Sequence, residues 1–129
     1  MNLNDNFLIT YFDLAHVYRV LGDLKQALLY LEKGMSRIDN PQIADAKINQ
    51  DAWYFRIDAD TIRFDTLPEK HCYAFRSLAA TLRALQRQGD AENYQQKPCG
   101  LDSHDEGAVQ AWVDLEIRHA GQAQRASRP

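Results

Sequence analysis

Residues Tyr11 to Gly34, YFDLAHVYRVLGDLKQALLYLEKG, carry two apolar stripes of helical spacing with only Leu21-Gly22-Asp23 between them. A connection that short allows two helices only an antiparallel hairpin. In the first helix Phe7, Tyr11, Leu14, Tyr18 and Leu21 recur at steps of four and three and predict its buried face, with Asn4 or Asn6 as cap. Gly22 tolerates positive φ, and Asp23 can cap the next helix, whose apolar face is Leu24, Ala27, Leu28, Leu31 and Met35. Ile38-Asp39-Asn40-Pro41 ends it, because proline disfavours helical backbone at the residue before it.

Downstream, Ile48, Ala52, Phe55, Ala59 and Ile62 continue a helical spacing through 42–64. A rival reading pairs Tyr54–Asp58 with Thr61–Asp65 as a β-hairpin across Ala59-Asp60. Helix is preferred, since Ala-Asp lacks the glycine that tight hairpin turns favour. Thr66-Leu67-Pro68 breaks the segment either way. A helix from about Glu69 to Arg87 presents Tyr73, Phe75, Leu78, Ala79, Leu82 and Leu85, and a short one through Tyr94 must stop at Pro98. Ser103 and Glu106 have capping-box spacing ahead of a last helix with Ala108, Ala111, Trp112, Leu115 and His119 on its buried face. The tail 121–129 is polar, lacks periodicity and reads as flexible.

The chain of 129 residues suits one domain, 1–120, and a net charge of -3 argues against a nonspecific grip on nucleic acid. No apolar run is long enough to span a bilayer, so no membrane partner is expected. Cys72 and Cys99 lack the dense spacing of a secreted disulfide scaffold, and MNLNDNFLIT has no signal-peptide pattern. Reduced thiols in the cytoplasm are the expectation.

The opening hairpin resembles the tetratricopeptide repeat. Tyr11, Leu14-Ala15, Tyr18, Gly22, Ala27 and Leu31 match the family's aromatic, Leu-Gly, Tyr, turn, alanine and large apolar positions, followed by Gly34 and a slightly late Pro41. A weaker copy sets Phe75, Leu78-Ala79, Leu82, Leu85 and Ala91 against Tyr11, Leu14-Ala15, Tyr18, Leu21 and Ala27, with Gln86 where glycine is expected and Pro98 cutting the second helix short. The resemblance implies an all-α fold: antiparallel helical hairpins stacked as a short solenoid of about six helices, with a best repeat at 8–41, a weaker one at 72–98 and a capping helix at 103–120.

The family's inner face, built from first helices, holds a peptide. Here the resemblance implies a groove of Ile9, Phe12, His16 and Arg19 with Tyr73, Arg76, Ala80 and Arg83, aromatic and basic, suited to an acidic segment with apolar anchors. Phe12 and His16 stand where the chaperone-cofactor branch has its Lys and Asn carboxylate clamp, which argues against that activity. The function implied is a non-catalytic interaction module, a bacterial adaptor or secretion-chaperone-like protein whose partner is another protein, with self-association a further expectation. No cofactor or metal is expected. Two alternatives stay open: a small metal-dependent enzyme or metal-binding protein using 45–72, with Asp58 and Asp60 near Asp51 and Asp65 for a divalent ion or His71 and Cys72 gathered with Cys99 and His104 for zinc, and an inhibitor or immunity protein with an acidic face of Asp45, Asp51, Asp58 and Asp65.

Overall fold

The computed structural model describes residues 8–38, 53–57 and 59–126, without the side chains of 8, 9, 38, 67 and 123–126. Among them run α1 (Leu8–Val20), α2 (Leu24–Ile38), β1 (Trp53–Ile57), β2 (Asp60–Phe64), α3 (Leu67–Ala84), α4 (Gln88–Gln95) and α5 (Ser103–Ala126). The chain is mostly helical, with five helices among the described residues and a two-stranded sheet. Asn4, Asn6, Phe7 and Pro41 lie outside the described residues.

Helices α1 and α2 form the expected hairpin. Gly22 takes φ +86°, and Asp23 Oδ1 accepts from the Gln26 N–H at 3.2 Å, so the turn and the cap use the residues best suited to them. Ala15, Ala27 and Leu31 are fully buried between the helices. At Gly34 the α1 side chains press so close that a Cβ would lie 2.9 Å from Phe12 Cζ and 3.3 Å from Tyr11 Cβ.

The same turn recurs between α3 and α4. The N–H groups of Leu21, Gly22 and Asp23 bond the carbonyls of Val17, Arg19 and Tyr18 at 3.0, 3.0 and 2.8 Å; those of Leu85, Gln86 and Arg87 bond Thr81, Arg83 and Leu82 at 3.0, 3.0 and 2.9 Å. Gln86 adopts φ +65°, the left-handed backbone that Gly22 adopts without a side chain in the way. Ala79 and Ala91 are buried like Ala15 and Ala27. Helix α2 packs on α3 and joins the two pairs.

The second pair is closed differently. Its short α4 ends at Gln95, and Cys99 then forms a disulfide with Cys72 on α3, Cα to Cα 4.7 Å. The expected free thiols are therefore corrected to a disulfide, which removes both sulfurs from any zinc site. In the chain-entropy picture, a loop of 27 residues closed in this way is worth about 3.5 kcal/mol. Helix α3 begins at Leu67, earlier than expected, because Thr66 is a full capping box: its hydroxyl accepts from the Glu69 N–H at 3.2 Å and Glu69 Oε1 accepts from the Thr66 N–H at 3.2 Å. The segment read as a breaker is a helix start.

Residues 53–57 and 60–64 pair as the strands of a β-hairpin and not as the preferred helix; 42–52 and Asp58 lie outside the described residues. Ile57 pairs with Asp60 and Trp53 with Phe64, where the rival reading sets Asp58 against Thr61, so the register lies one residue earlier than that reading had it. The decisive pattern is alternation: Trp53, Phe55 and Ile57 are buried while Tyr54 and Arg56 are exposed. Phe12 stacks on Trp53 with centroids 4.7 Å apart, and Phe55 and Phe64 lie 4.8 and 4.9 Å from the Tyr73 ring. Burial of each of these side chains contributes about 1.5–3 kcal/mol, more than the missing turn glycine costs.

Helix α5 runs along α3 and reaches α1. Its buried face is Val109, Trp112, Val113, Glu116 and Ala120; Ala108 and Ala111 are exposed and Leu115 and His119 half-buried, so the face is turned by about one residue from the expected one. Its cap is Asp102, whose Oδ1 accepts from the Asp105 N–H at 2.8 Å, and not Ser103. Glu106, expected to complete that cap, bonds Arg76 instead. The helix continues through Ala126, past the start of the expected tail.

Candidate functional site

Because the hairpin lies against α1, that helix is covered on two sides. Tyr11 and Ala15 are buried, together with Phe12, His16 and Arg19; Leu21, expected inside, is 64% exposed. Three of the side chains assigned to a peptide-binding surface, His16 and Arg19 from α1 and Tyr73 from α3, are thereby joined in a buried cluster with Glu116 from α5.

One carboxylate oxygen organises this cluster. Glu116 Oε2 accepts from His16 Nδ1, from Arg19 Nη2 at 2.8 Å and from the Tyr73 hydroxyl at 3.3 Å. Arg19 Nη2 also donates to the Tyr73 oxygen. His16 Nε2 lies 3.1 Å from the Arg56 carbonyl of β1, so the ring ties the hairpin to the two helices. Both ring nitrogens are thereby engaged, one by the Glu116 carboxylate and the other by the Arg56 carbonyl. Arg19 Nη1 and Glu116 Oε1 find no hydrogen-bond partner among the described residues.

Burial pushes the Glu116 carboxyl up, but the Arg19 guanidinium and His16 more than offset it and hold it below its ordinary value. The Arg19 guanidinium, pushed down by burial, is held above its ordinary value by Glu116 and Tyr73. Burial drives the Tyr73 hydroxyl well up. The tyrosine stays a neutral donor between two charges. Chemically the cluster is a pin: His16 has no ring nitrogen left for a substrate proton, and every member is at least nine-tenths buried. Nothing in the sequence distinguishes Glu116 from the solvated acids around it except its three-residue and four-residue spacing to Val113 and Ala120.

The other expected groove residues are dispersed. Arg76 is buried and donates to the Tyr94 carbonyl and to Glu106 Oε1, both at 2.9 Å, clamping α3 to α4 and α5. Ile9 lies on α1, its side chain outside the described atoms. Only Arg83 is exposed, beside Ala80. The continuous stripe Tyr73, Arg76, Ala80 and Arg83 is thus divided among the aromatic core, a helix clamp and an open groove.

That groove, of about 340 Å³ between α3 and α5, is lined by Ala80, Arg83, Ala84, Asp114, Ile117 and Arg118. A second, of about 440 Å³, is lined by Glu32, Met35, Ser36, Phe75, Tyr94 and Lys97 from α2, α3 and the α4 end. There the Lys97 ammonium already sits 5.8 Å from the Phe75 ring and shares the groove with Glu32.

Of the acidic-face residues, Asp45, Asp51 and Asp58 lie outside the described residues, and Asp65 pairs with Arg63. No group of three or more candidate metal ligands occurs among the described residues, and no described helix is long and apolar enough to cross a membrane. Compared with protein-family models, curated proteins and solved structures, the chain gives no significant match.

Proposed function

We propose that the chain is a non-catalytic protein–protein interaction module, a short tetratricopeptide-like stack of helical hairpins with a capping helix, that holds a peptide segment of a partner. The observation that carries this reading is that the first helices already hold an extended segment: β1 lies with Trp53 on Phe12, Phe55 on Tyr73 and the Arg56 carbonyl on His16. In the resembled family that same face receives a partner's peptide. The two helix pairs with matching turns and matching buried alanines support the resemblance. The part of the face left open, around Arg83 in the groove beside α5, is where a partner's segment lies, and the module acts as an adaptor or a secretion-chaperone-like holder.

Crosslinking the full chain in extract of its source, followed by native mass spectrometry of the recovered material, tests this. A saturable complex of fixed stoichiometry with one protein is expected. Recovery of the chain alone would overturn the reading.

A further inference from the structure

We propose that the groove between α3 and α5 binds a partner segment that is acidic and carries an apolar side chain, an inference that rests on the interaction-module reading and names the chemistry of its partner. The charges single this groove out. Arg19, Arg63, Arg76 and Arg87 each hold a carboxylate of this chain. Arg83 and Arg118 form no such ion pair among the described residues, and both line this one groove. Among the described lining residues Asp114 is the one acid, its Oδ1 accepting from the Gln110 amide at 3.0 Å, and one carboxylate against two guanidinium groups leaves the groove with a positive charge in excess.

Two exposed guanidinium groups are suited to carboxylates, which they take by paired hydrogen bonds. Between them Ala80, Ala84 and Ile117 supply an apolar lining that a free phosphate or a wholly polar chain does not use. The chemistry therefore asks for both features in one ligand. A segment in which a leucine-sized side chain is flanked by Glu or Asp meets it, the apolar group seated on the alanines and the acids reaching Arg83 on one wall and Arg118 on the other. The second groove does not make the same demand, because its lysine and glutamate balance.

The probe is a fluorescein-labelled peptide of Glu-Leu-Asp-Gly repeats, titrated by anisotropy against the full chain. Saturable binding is expected, weakened about tenfold or more by Arg83→Glu and again by Arg118→Glu, the scale of losing a charge-assisted hydrogen bond. Ala84→Trp, which fills the groove without altering charge, should weaken it as much. Peptides with Lys for the acids, or Ser for Leu, should bind at least about tenfold more weakly. No binding to the parent chain, equal binding of the serine peptide, displacement by millimolar inorganic phosphate, or indifference to the three substitutions with unchanged circular dichroism would each overturn the inference. A partner that crosslinks to the parent chain and to Arg83→Glu alike would sink this site while leaving the interaction-module reading standing.

Discussion

The two helical pairs share a turn and differ in how they close. In α1–α2 the helices meet at Gly34, where the absence of a side chain admits Phe12, and α2 runs on to Ile38. In α3–α4 the second helix stops at Gln95 and a disulfide completes the closure. At the 64-residue offset, Cys72 and Cys99 occupy the positions that Leu8 and Met35 hold in the first pair. Where packing is long enough, shape complementarity holds the helices; where proline truncates it, a covalent bond does. The turn geometry is indifferent to which is used.

The largest break should come from Glu116→Ala, which leaves Arg19 buried without its counter-charge and should cost about 3–5 kcal/mol in urea denaturation, with hydrogen exchange rising first in α1. Acid probes the same group. Because the folded Glu116 carboxyl sits below its ordinary value, its contribution is present above about 4.5 and is lost as pH falls toward the depressed folded value. Asp13 acts in the opposite sense: partial burial raises it to about 6 against the pull of His16, so its ionisation reduces stability as pH rises from 3.8 through 6. Much of Asp13 is in solvent and its amplitude is small, so an acid titration of stability should show the Glu116 loss below about 4.5 dominating, with only a shallow opposing slope between 3.8 and 6.

Next in size is Cys72→Ala with Cys99→Ala, or reduction, expected to remove about 3.5 kcal/mol and to raise exchange in α4 while α2 stays protected. Equal loosening of both pairs would mean that the disulfide serves the whole domain and not the short pair. Gly34→Ala is the matching test on the other side. Phe12 is fully buried and has no room to swing away, so the methyl should cost about 1–3 kcal/mol in thermal unfolding. Smallest is Gln86→Gly, which relieves a left-handed glutamine at the price of a looser unfolded chain and should gain up to about 1 kcal/mol. A loss there would show that the Gln86 side chain has a task that its backbone does not reveal.

What was legible in the sequence was local. Gly22, Asp23, Ala27 and Leu31 announce a helical hairpin because each answers a backbone or spacing requirement within a few residues. The second turn was legible for the same reason, with Gln86 standing where the first turn has Gly22 and sharing its left-handed backbone. The β-hairpin was harder: its connection offers no glycine, and Ile48 to Ile62 imitates a helical period. Alternation from Trp53 to Ile57 was the better signal, since three large side chains sharing one strand face outweigh one missing turn residue. The charged core was illegible. His16 and Arg19 stand at positions assigned to an open groove, and Glu116 at a position given no role, until helices distant in sequence enclose them, and the faces expected for α1 and α5 missed them accordingly. Arg83 kept its expected exposure, but Arg118, its counterpart across the groove, lay on a helix read only as a cap.

The bond between Arg19 and Glu116 spans 97 residues. On a ribosome adding about 5–20 residues per second, Arg19 waits roughly 5–20 seconds for its counter-charge to be made. Throughout that interval α1 and α2 can pair, but the inner side of α1 stays charged, wet and open. Closure of α1 therefore waits on α5: of the described helices, the one made latest neutralises the one made earliest, and a nascent chain halted before residue 116 should remain exposed to proteases at α1 however well its α1–α2 hairpin has formed.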